Sequence, residues 1–600
     1  MRHQMPPERA VLENKSGENM VDQIPTRETS VPVDFGGEAF LEAINNNNVE
    51  YLFINSGTDT FPIQEAMAKF QSEGKRIPKV ILCPDESTAV AAAHGYFNAT
   101  RKPQVVLVHV DAGTLQLSGG LHNAQRGRAG MVLCAGRAPM TFDGEMDGSR
   151  SSSIHWTQEQ LDQAGSVRNF TKWDYELRRN ENIHHVIQRA FQVASSEPPG
   201  PVYLMLPREV LMEKMEATKN LSVRRHSPPT TPQADLGELK LAAESLAQAE
   251  NPLIITGQSG RNRSSVASMT VLAELVGAPV VSDAVHVNFP TDHPLWAGNA
   301  GNQYVADADV ILTVDSDVPY IPINTKPRPD AQLIQIDIDP IKPSIPLWVF
   351  PTDSLMHADS SKAIPAMNEI LSEILTEADR ARIEERNETI KERHQRRRQE
   401  DLDLVMEHGA RDVITPQWLS HCISEAIDKD TILLDETVTN SGHVAKYIPR
   451  SEPGTLYKSG GSSLGWGIGG AMGVKMAEPD KTVVAVVGDG AFIYGTPTST
   501  LWAADVYDFP FLTIIYNNQI HNAPKASLLA SYPDSYSART NNWVGMDLGP
   551  SVEFSVLAES CRAYGEKVEA PSEVGPALKR ALRKVSNGQA AVLDVRIEKP

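Results

Sequence analysis

Cysteine is scarce in this 600-residue chain. Cys83, Cys134, Cys422 and Cys561 are its four cysteines; they stand far apart and form no CxxC pair. That excludes a disulfide framework and the zinc sites built on paired thiolates. Long apolar runs are missing too, and none approaches the roughly 18 residues of a membrane span. Positive charge is in deficit: 56 Lys and Arg face 76 Asp and Glu, a formal net charge of -20. A nucleic acid or an anionic membrane is therefore excluded as a general partner. The opening MRHQMPPERAVLENKSGENMVDQIPTRETS lacks the apolar core of a secretory signal, and its acidic residues argue against a transit peptide. Residues 1–34 read as a disordered tail on a soluble, cytoplasmic protein. The final EKP matches no retrieval or peroxisomal signal.

Short β-branched runs are abundant, and they fall into three blocks. The first holds YLFINSG, VVLVHVDAG, MVLCAG and PVYLMLP. After the linker HSPPTTPQ come PLIITG, ADVILTVD and AQLIQIDID. The last block holds TILLDE, TVVAVVGDG, FLTIIYNN and AAVLDVRI. Continuous apolar runs alternating with helical segments mark parallel strands buried on both faces. The predicted fold class is α/β, with three doubly wound parallel-sheet domains at residues 35–225, 235–375 and 411–600. Residues 376–410, which include EADRARIEERNETIKERHQRRRQED, read as a charged linker helix. Glutamates flank Arg396, Arg397 and Arg398, so the run is a solvated surface and not a basic patch.

Two strands of the last block end in polar groups: Gly488-Asp489-Gly490, then Asn517-Asn518, with residues 491–516 between them. Ligands of parallel α/β sheets sit at the carboxyl ends of strands. If the two strands are neighbours, Asp489 and Asn518 converge. With a nearby backbone carbonyl, that of Ile520, they form a set of hard oxygen donors suited to magnesium carrying a phosphate. Gly488 and Gly490 would let the backbone approach that phosphate. A helix starting near Thr498 would add its positive end.

GDG and NN at this spacing resemble the signature of the thiamine-diphosphate-dependent enzymes. Two further stretches carry the same resemblance. VILCPDESTAVAAAHGYFNATRKP is similar to the family pattern HE-x-x-A-x-x-A-x-G-Y-A-x-x-T-x-K-P. Asp85 replaces the usual His there, and Glu86 falls on the catalytic, cofactor-activating glutamate. YKSGGSSLGWGIGGAMGVKMAEPDKTVVAVVGDG is similar to the segment running from a Gly-rich loop into GDG. Leu464 falls on the apolar wedge between the cofactor rings. The carbonyl of Ser462, where Gly is usual, falls on the acceptor for the pyrimidine amine. In DETVTNSG, Thr437 and Thr439 look like diphosphate-binding hydroxyls, and Ala491 joins Gly488, Asp489 and Gly490 at the diphosphate. The resemblance spans about residues 35 to 600. It is strongest to the acetolactate synthase-like branch, which includes benzoylformate decarboxylase. It implies thiamine diphosphate and Mg2+ as cofactors. It also implies a homodimer or homotetramer, because Glu86 and Asp489 meet one cofactor from different subunits.

Two loops bear on the reaction. In VHVDAGT, His109 stands where benzoylformate decarboxylase has a catalytic histidine. In FPTDHP, His293 stands where that enzyme has a second one. Thr58, in NSGT, falls on its substrate-contacting serine. His94 and His122 read as structural or peripheral. The resemblance thus implies a 2-oxo acid decarboxylase or carboligase acting through a C2 carbanion and an enamine. The substrate is a small 2-oxo acid, and the acceptor is an aldehyde or a second 2-oxo acid. Acetolactate synthase proper is the alternative enzyme. It would favour FAD in the central domain, where TGQSGRNRSS offers a nucleotide loop; the sequence leaves the flavin open. A degenerate homologue that binds cofactor without turnover is the third reading, opposed by the intact Glu86, Asp489 and Asn518.

Overall fold

The structure, a computed structural model, describes residues 28–282, 285–299 and 301–600. Most of the expected tail lies outside the described residues. Its last part is not a tail: Thr29–Pro32 forms a strand antiparallel to Ala217–Asn220, with Val31 opposite Thr218. The β-branched and extended residues of TSVP satisfy their backbone groups by this pairing, which ties the start of the first domain to its end.

Three six-stranded sheets follow. The first runs, edge to edge, Lys79–Leu82, Tyr51–Asn55, Val105–Val108, Met131–Arg137, Pro201–Pro207 and Asp174–Glu176. The second runs Trp296–Gly298, Val280–Ser282, Pro252–Thr256, Val310–Val314, Gln332–Asp337 and Ser354–His357. The third runs Leu456–Tyr457, Ile432–Glu436, Val483–Gly488, Leu512–Asn517, Ala591–Arg596 and Tyr564–Val568. All pairings within these sheets are parallel. Central strands such as Val105–Val108, Pro201–Pro207 and Leu512–Asn517 are buried at every residue. This is the burial that continuous apolar runs require. The fold is the expected one, three doubly wound α/β domains.

In each sheet the chain lays its first two or three strands toward one edge and then turns back toward the other. The reversal falls between Tyr51–Asn55 and Val105–Val108, between Pro252–Thr256 and Val310–Val314, and between Ile432–Glu436 and Val483–Gly488. A crevice opens at the carboxyl ends of such a strand pair.

The first and third domains meet through two helices, Glu86–Thr100 and Trp466–Ala477. Both carry small residues on the contact face, so their backbones come close. A Cβ added to Gly473 would lie 1.9 Å from the Ala92 carbonyl oxygen, and one on Gly95 would lie 2.1 Å from that of Gly470. The linker is a helix, Glu377–Gly409, opened by a Thr376–Asp379 capping box. Arg382 and Arg386 dock it on the central domain by donating to the carbonyls of Ala247, Ala249 and Glu250. No helix among the described residues is long and apolar enough to cross a membrane.

Candidate active site

The first domain gathers its polar residues at its crevice. Asp85 caps the helix Glu86–Thr100 by accepting from Ser87 N and Thr88 N. The residue that departs from the family's His thus sets where Glu86 begins the first turn. Glu86 is 3% exposed and accepts one hydrogen bond from Asn55 Nδ2 at 2.9 Å. Burial raises its carboxyl above the usual range, while the Asn55 bond lowers it. His109 follows Val105–Val108, and its Nδ1 makes a short bond to Asp59 Oδ1. That bond raises the imidazole's pKa, and burial opposes it. Thr58 is exposed beside this pair, and its carbonyl accepts from Arg208 at 3.4 Å.

The third domain builds a second group. Strands Val483–Gly488 and Leu512–Asn517 are direct neighbours, with Gly488 opposite Tyr516. Asp489 and the Asn517-Asn518 end therefore converge, as the spacing predicts. Asp489 Oδ2 accepts from Gln519 N at 2.7 Å, and its Oδ1 accepts from Gly490 N at 2.9 Å. Asn518 Oδ1 accepts from Ile520 N at 3.0 Å. Asp489 is 4% exposed and forms no ion pair among the described residues, and burial raises its carboxyl. A buried carboxylate without a cationic partner, beside an amide oxygen and the backbone of Ile520, fits a hard divalent cation. A Cβ at Gly488 would meet nothing within 4 Å, so the space a phosphate needs is open there. Ala491 is buried in a short helix, Asp489–Tyr494, that starts directly from the strand.

Several expectations change in detail. The helix expected near Thr498 spans Pro497–Val506, and its first turn docks on the first domain. Thr88 Oγ1 lies 3.0 Å from both Thr496 Oγ1 and Thr500 Oγ1, so that helix end faces another helix and not the GDG turn. The Thr437 hydroxyl is not directed at a phosphate: it donates to Asp435 Oδ1 at 2.6 Å, because the turn after a strand needs a cap. Thr439 is exposed and remains free to contact a ligand. Ser462 is exposed, with its hydroxyl 3.1 Å from His122 Nε2, and Leu464 is half-buried against the core. His293 does not join either group. Its Nε2 lies 3.2 Å from Glu274 and its Nδ1 accepts from Leu295 N, so both ring nitrogens are engaged inside the central domain.

Three residues of the site escaped sequence reasoning. Asp59 pairs with His109 across 50 positions, and nothing local announces it. Asn123 holds the loop that carries Leu464, donating to Ser463 O at 2.7 Å and accepting from Ser463 N at 3.0 Å. Glu436 ends the strand Ile432–Glu436 and accepts from Gly465 N, Trp466 N and Gly467 N. It caps the helix just after Leu464. A carboxylate at a strand end one residue before Thr437 was the available signal.

The central crevice is different. Arg261, 4% exposed, donates to Asp315 Oδ2 at 2.6 Å. Ser360 donates to the same oxygen, and Asn288 closes the turn at Gly260 N. These groups fill the reversal point between Pro252–Thr256 and Val310–Val314, where a nucleotide would lie. Arg261 Nε and Nη2 are buried without a hydrogen-bond partner among the described residues, so the guanidinium keeps donors that an anionic group could use, and the flavin stays open.

Comparison with known proteins agrees with the three-part layout. Residues 35–166 match the thiamine pyrophosphate enzyme N-terminal TPP binding domain, 239–344 its central domain, and 437–595 its C-terminal TPP binding domain. The chain is 26% identical over 534 residues to the acetolactate synthase isozyme 3 large subunit of Escherichia coli, covering 86% of this chain and 88% of that protein. It is 24% identical over 590 residues to sulfoacetaldehyde acetyltransferase of Rhodobacter capsulatus, covering 93% and 94%. Among solved structures, a thiamine diphosphate-dependent 4-hydroxybenzoylformate decarboxylase of Rhodococcus jostii RHA1 superposes with a TM-score of 0.76. Its identity is 20%, and the match covers 94% of this chain and 99% of that one.

Proposed function

Because the chain belongs to the thiamine pyrophosphate enzyme family, in its acetolactate synthase and decarboxylase group, we propose that it is a magnesium-dependent decarboxylase or carboligase of small 2-oxo acids. The observation that carries this reading is the pair of polar groups at the crevices of the first and third sheets. Asp489, Asn518 and the carbonyl of Ile520 would hold the magnesium, with Gly488 and Gly490 against the diphosphate. When bound, thiamine diphosphate supplies a nucleophilic carbon that adds to the 2-oxo group and takes up the electron pair left by carbon dioxide.

The chain's own residues do the rest. Glu86, buried with its carboxyl raised above the usual range, would exchange a proton with the pyrimidine ring. Leu464 would orient that ring, and the carbonyl of Ser462 would accept from its amine. His109 would supply the carbon-bound proton that an aldehyde product needs once carbon dioxide has left. Slow delivery of that proton would leave the carbon open to an acceptor carbonyl and favour a hydroxyketone. Thr58, exposed beside His109, contacts the substrate. Glu86 and Asp489 belong to different domains, and no hydrogen bond joins these two carboxylates or their bonded partners Asn55 and Gln519 among the described residues. Large apolar side chains are exposed in both domains: Phe142, Trp156 and Leu161 in the first, Tyr494, Tyr532 and Val544 in the third. This supports a homodimer, or a homotetramer of such dimers, whose sites form between subunits.

The test is a panel of 2-oxo acids with product identification, with and without an acceptor aldehyde, on wild type and His109→Ala. The variant should lose aldehyde formation by about 10²-fold or more, and the hydroxyketone share should rise. An equal fall of both products would place His109 before the branch. No carbon dioxide release from any 2-oxo acid would overturn the reading.

A further inference from the structure

The Asp59–His109 contact has no counterpart among the residues that the motifs single out. It joins the loop after Tyr51–Asn55 to the loop after Val105–Val108, the two sides of the first crevice. Asp59 is 3% exposed, and its Oδ2 has no hydrogen-bond partner among the described residues. The His109 side chain is 25% exposed. The pair therefore has a buried end and an open end.

The backbone is shaped for it. A Cβ on Gly57 would lie 1.9 Å from His109 Nδ1, and one on Gly136 would lie 1.8 Å from Asp59 Oδ2. Only glycine leaves room for the two side chains to meet. We propose that Asp59 is a positioning residue: it holds His109 with Nδ1–H on its carboxylate and leaves Nε2 as the nitrogen that exchanges protons with the site. A carboxylate behind an imidazole selects one tautomer and favours the cation that forms when Nε2 takes a proton. The inference rests on the proposed role of His109 for its catalytic meaning.

Other groups act on the same ring. Asp111 adds a stabilising charge from the same loop, and Gln158 adds a hydrogen-bonding group from the segment after His155. Glu86 faces it from the neighbouring helix. Arg208 and His155 act on Asp59 from the far side. Asp59 is the one bonded to the ring and heads the causes of its raised pKa.

The experiment reads the ring directly. Diethyl pyrocarbonate modifies neutral imidazole, and peptide mass spectrometry quantifies the modification of His109 against pH in the full chain. The wild-type midpoint should lie above the ordinary value of about 6.5. Asp59→Asn, which keeps the shape and removes the charge, should bring it down and raise the neutral fraction near pH 6.5 several-fold. Identical midpoints in the two proteins would overturn the proposal, and so would a wild-type midpoint below about 6.5. Should the Asn variant fail to fold, Asp59→Ser and the wild-type midpoint decide by the same criteria. A lowered midpoint with an unchanged aldehyde-to-hydroxyketone ratio supports the Asp59 pairing and removes His109 from the role of proton donor. Failure of the one reading is thus told apart from failure of the other.

Discussion

Glu86 illustrates how one residue type takes its function from where it stands. A glutamate in the first turn of a helix is ordinary, since the helix dipole favours it. This one is turned inward, nearly out of water, with Asn55 as its hydrogen-bonding partner. Burial favours its protonated form, which moves the carboxyl toward the range where general acid-base work is done. Glu86→Gln keeps the size and the Asn55 bond but cannot share the proton. Activity should fall by about 10²–10⁴-fold, while thiamine diphosphate still binds in calorimetry. Cofactor C2-proton exchange at the wild-type rate would remove the role. The identity and helical position of Glu86 are legible in the sequence. Its partner is not, because Asn55 lies 31 residues away on another strand.

At the scale of elements, two helices decide the geometry. Glu86–Thr100 and Trp466–Ala477 touch backbone to backbone, so the positions of Gly95 and Gly473 are steric requirements. Gly473→Ala forces a methyl group against the Ala92 carbonyl, which has no flexible side chain to move. Overpacking of this kind costs about 1–3 kcal/mol, and it should lower the urea midpoint and shift Glu86 with its helix. An unchanged midpoint would mean that the two helices separate at little cost. The second helix also depends on Glu436. Burial pushes its carboxyl up to about 7, while three backbone N–H donors pull it down. The folded chain therefore binds a proton between about pH 4.5 and 7 that the unfolded chain has released. This group's contribution to stability falls as pH rises through that window and is constant above it. Glu436→Gln should flatten the slope, read as urea midpoints at about pH 5 and about pH 7.5. An equal slope in both proteins would assign the dependence to other groups.

For the whole molecule, the question is which chains share a site. If Glu86 and Asp489 act on one cofactor from different subunits, two dead variants can repair each other. Glu86→Gln and Asp489→Ala should each be nearly inactive alone. Co-expressed, half of the randomly paired dimers carry one intact site, so activity should return to about a quarter of wild type. No recovery, with mixed dimers present by mass spectrometry, would put both residues of a site in the same subunit.

The sequence by itself determined the three doubly wound domains and the meeting of Asp489 and Asn518 at neighbouring strand ends. These are read from local signals: apolar runs too continuous for one-faced strands, and polar groups at strand ends. It also located Glu86 and His109, through motifs whose residues lie close together along the chain. Only the tertiary structure decided the rest. It paired Asp59 with His109, Glu436 with the turn after Leu464, and Arg261 with Asp315 at the central crevice. It also kept His293 inside the central domain, and it turned the helix that starts at Pro497 toward Thr88 and away from the GDG turn. Each of these contacts joins segments far apart in sequence. A local pattern says that a side chain can accept a proton, bear charge or cap a helix. Which group it meets depends on the order of strands in the sheet and on how closely two helices approach, and those are fixed by packing over the whole chain.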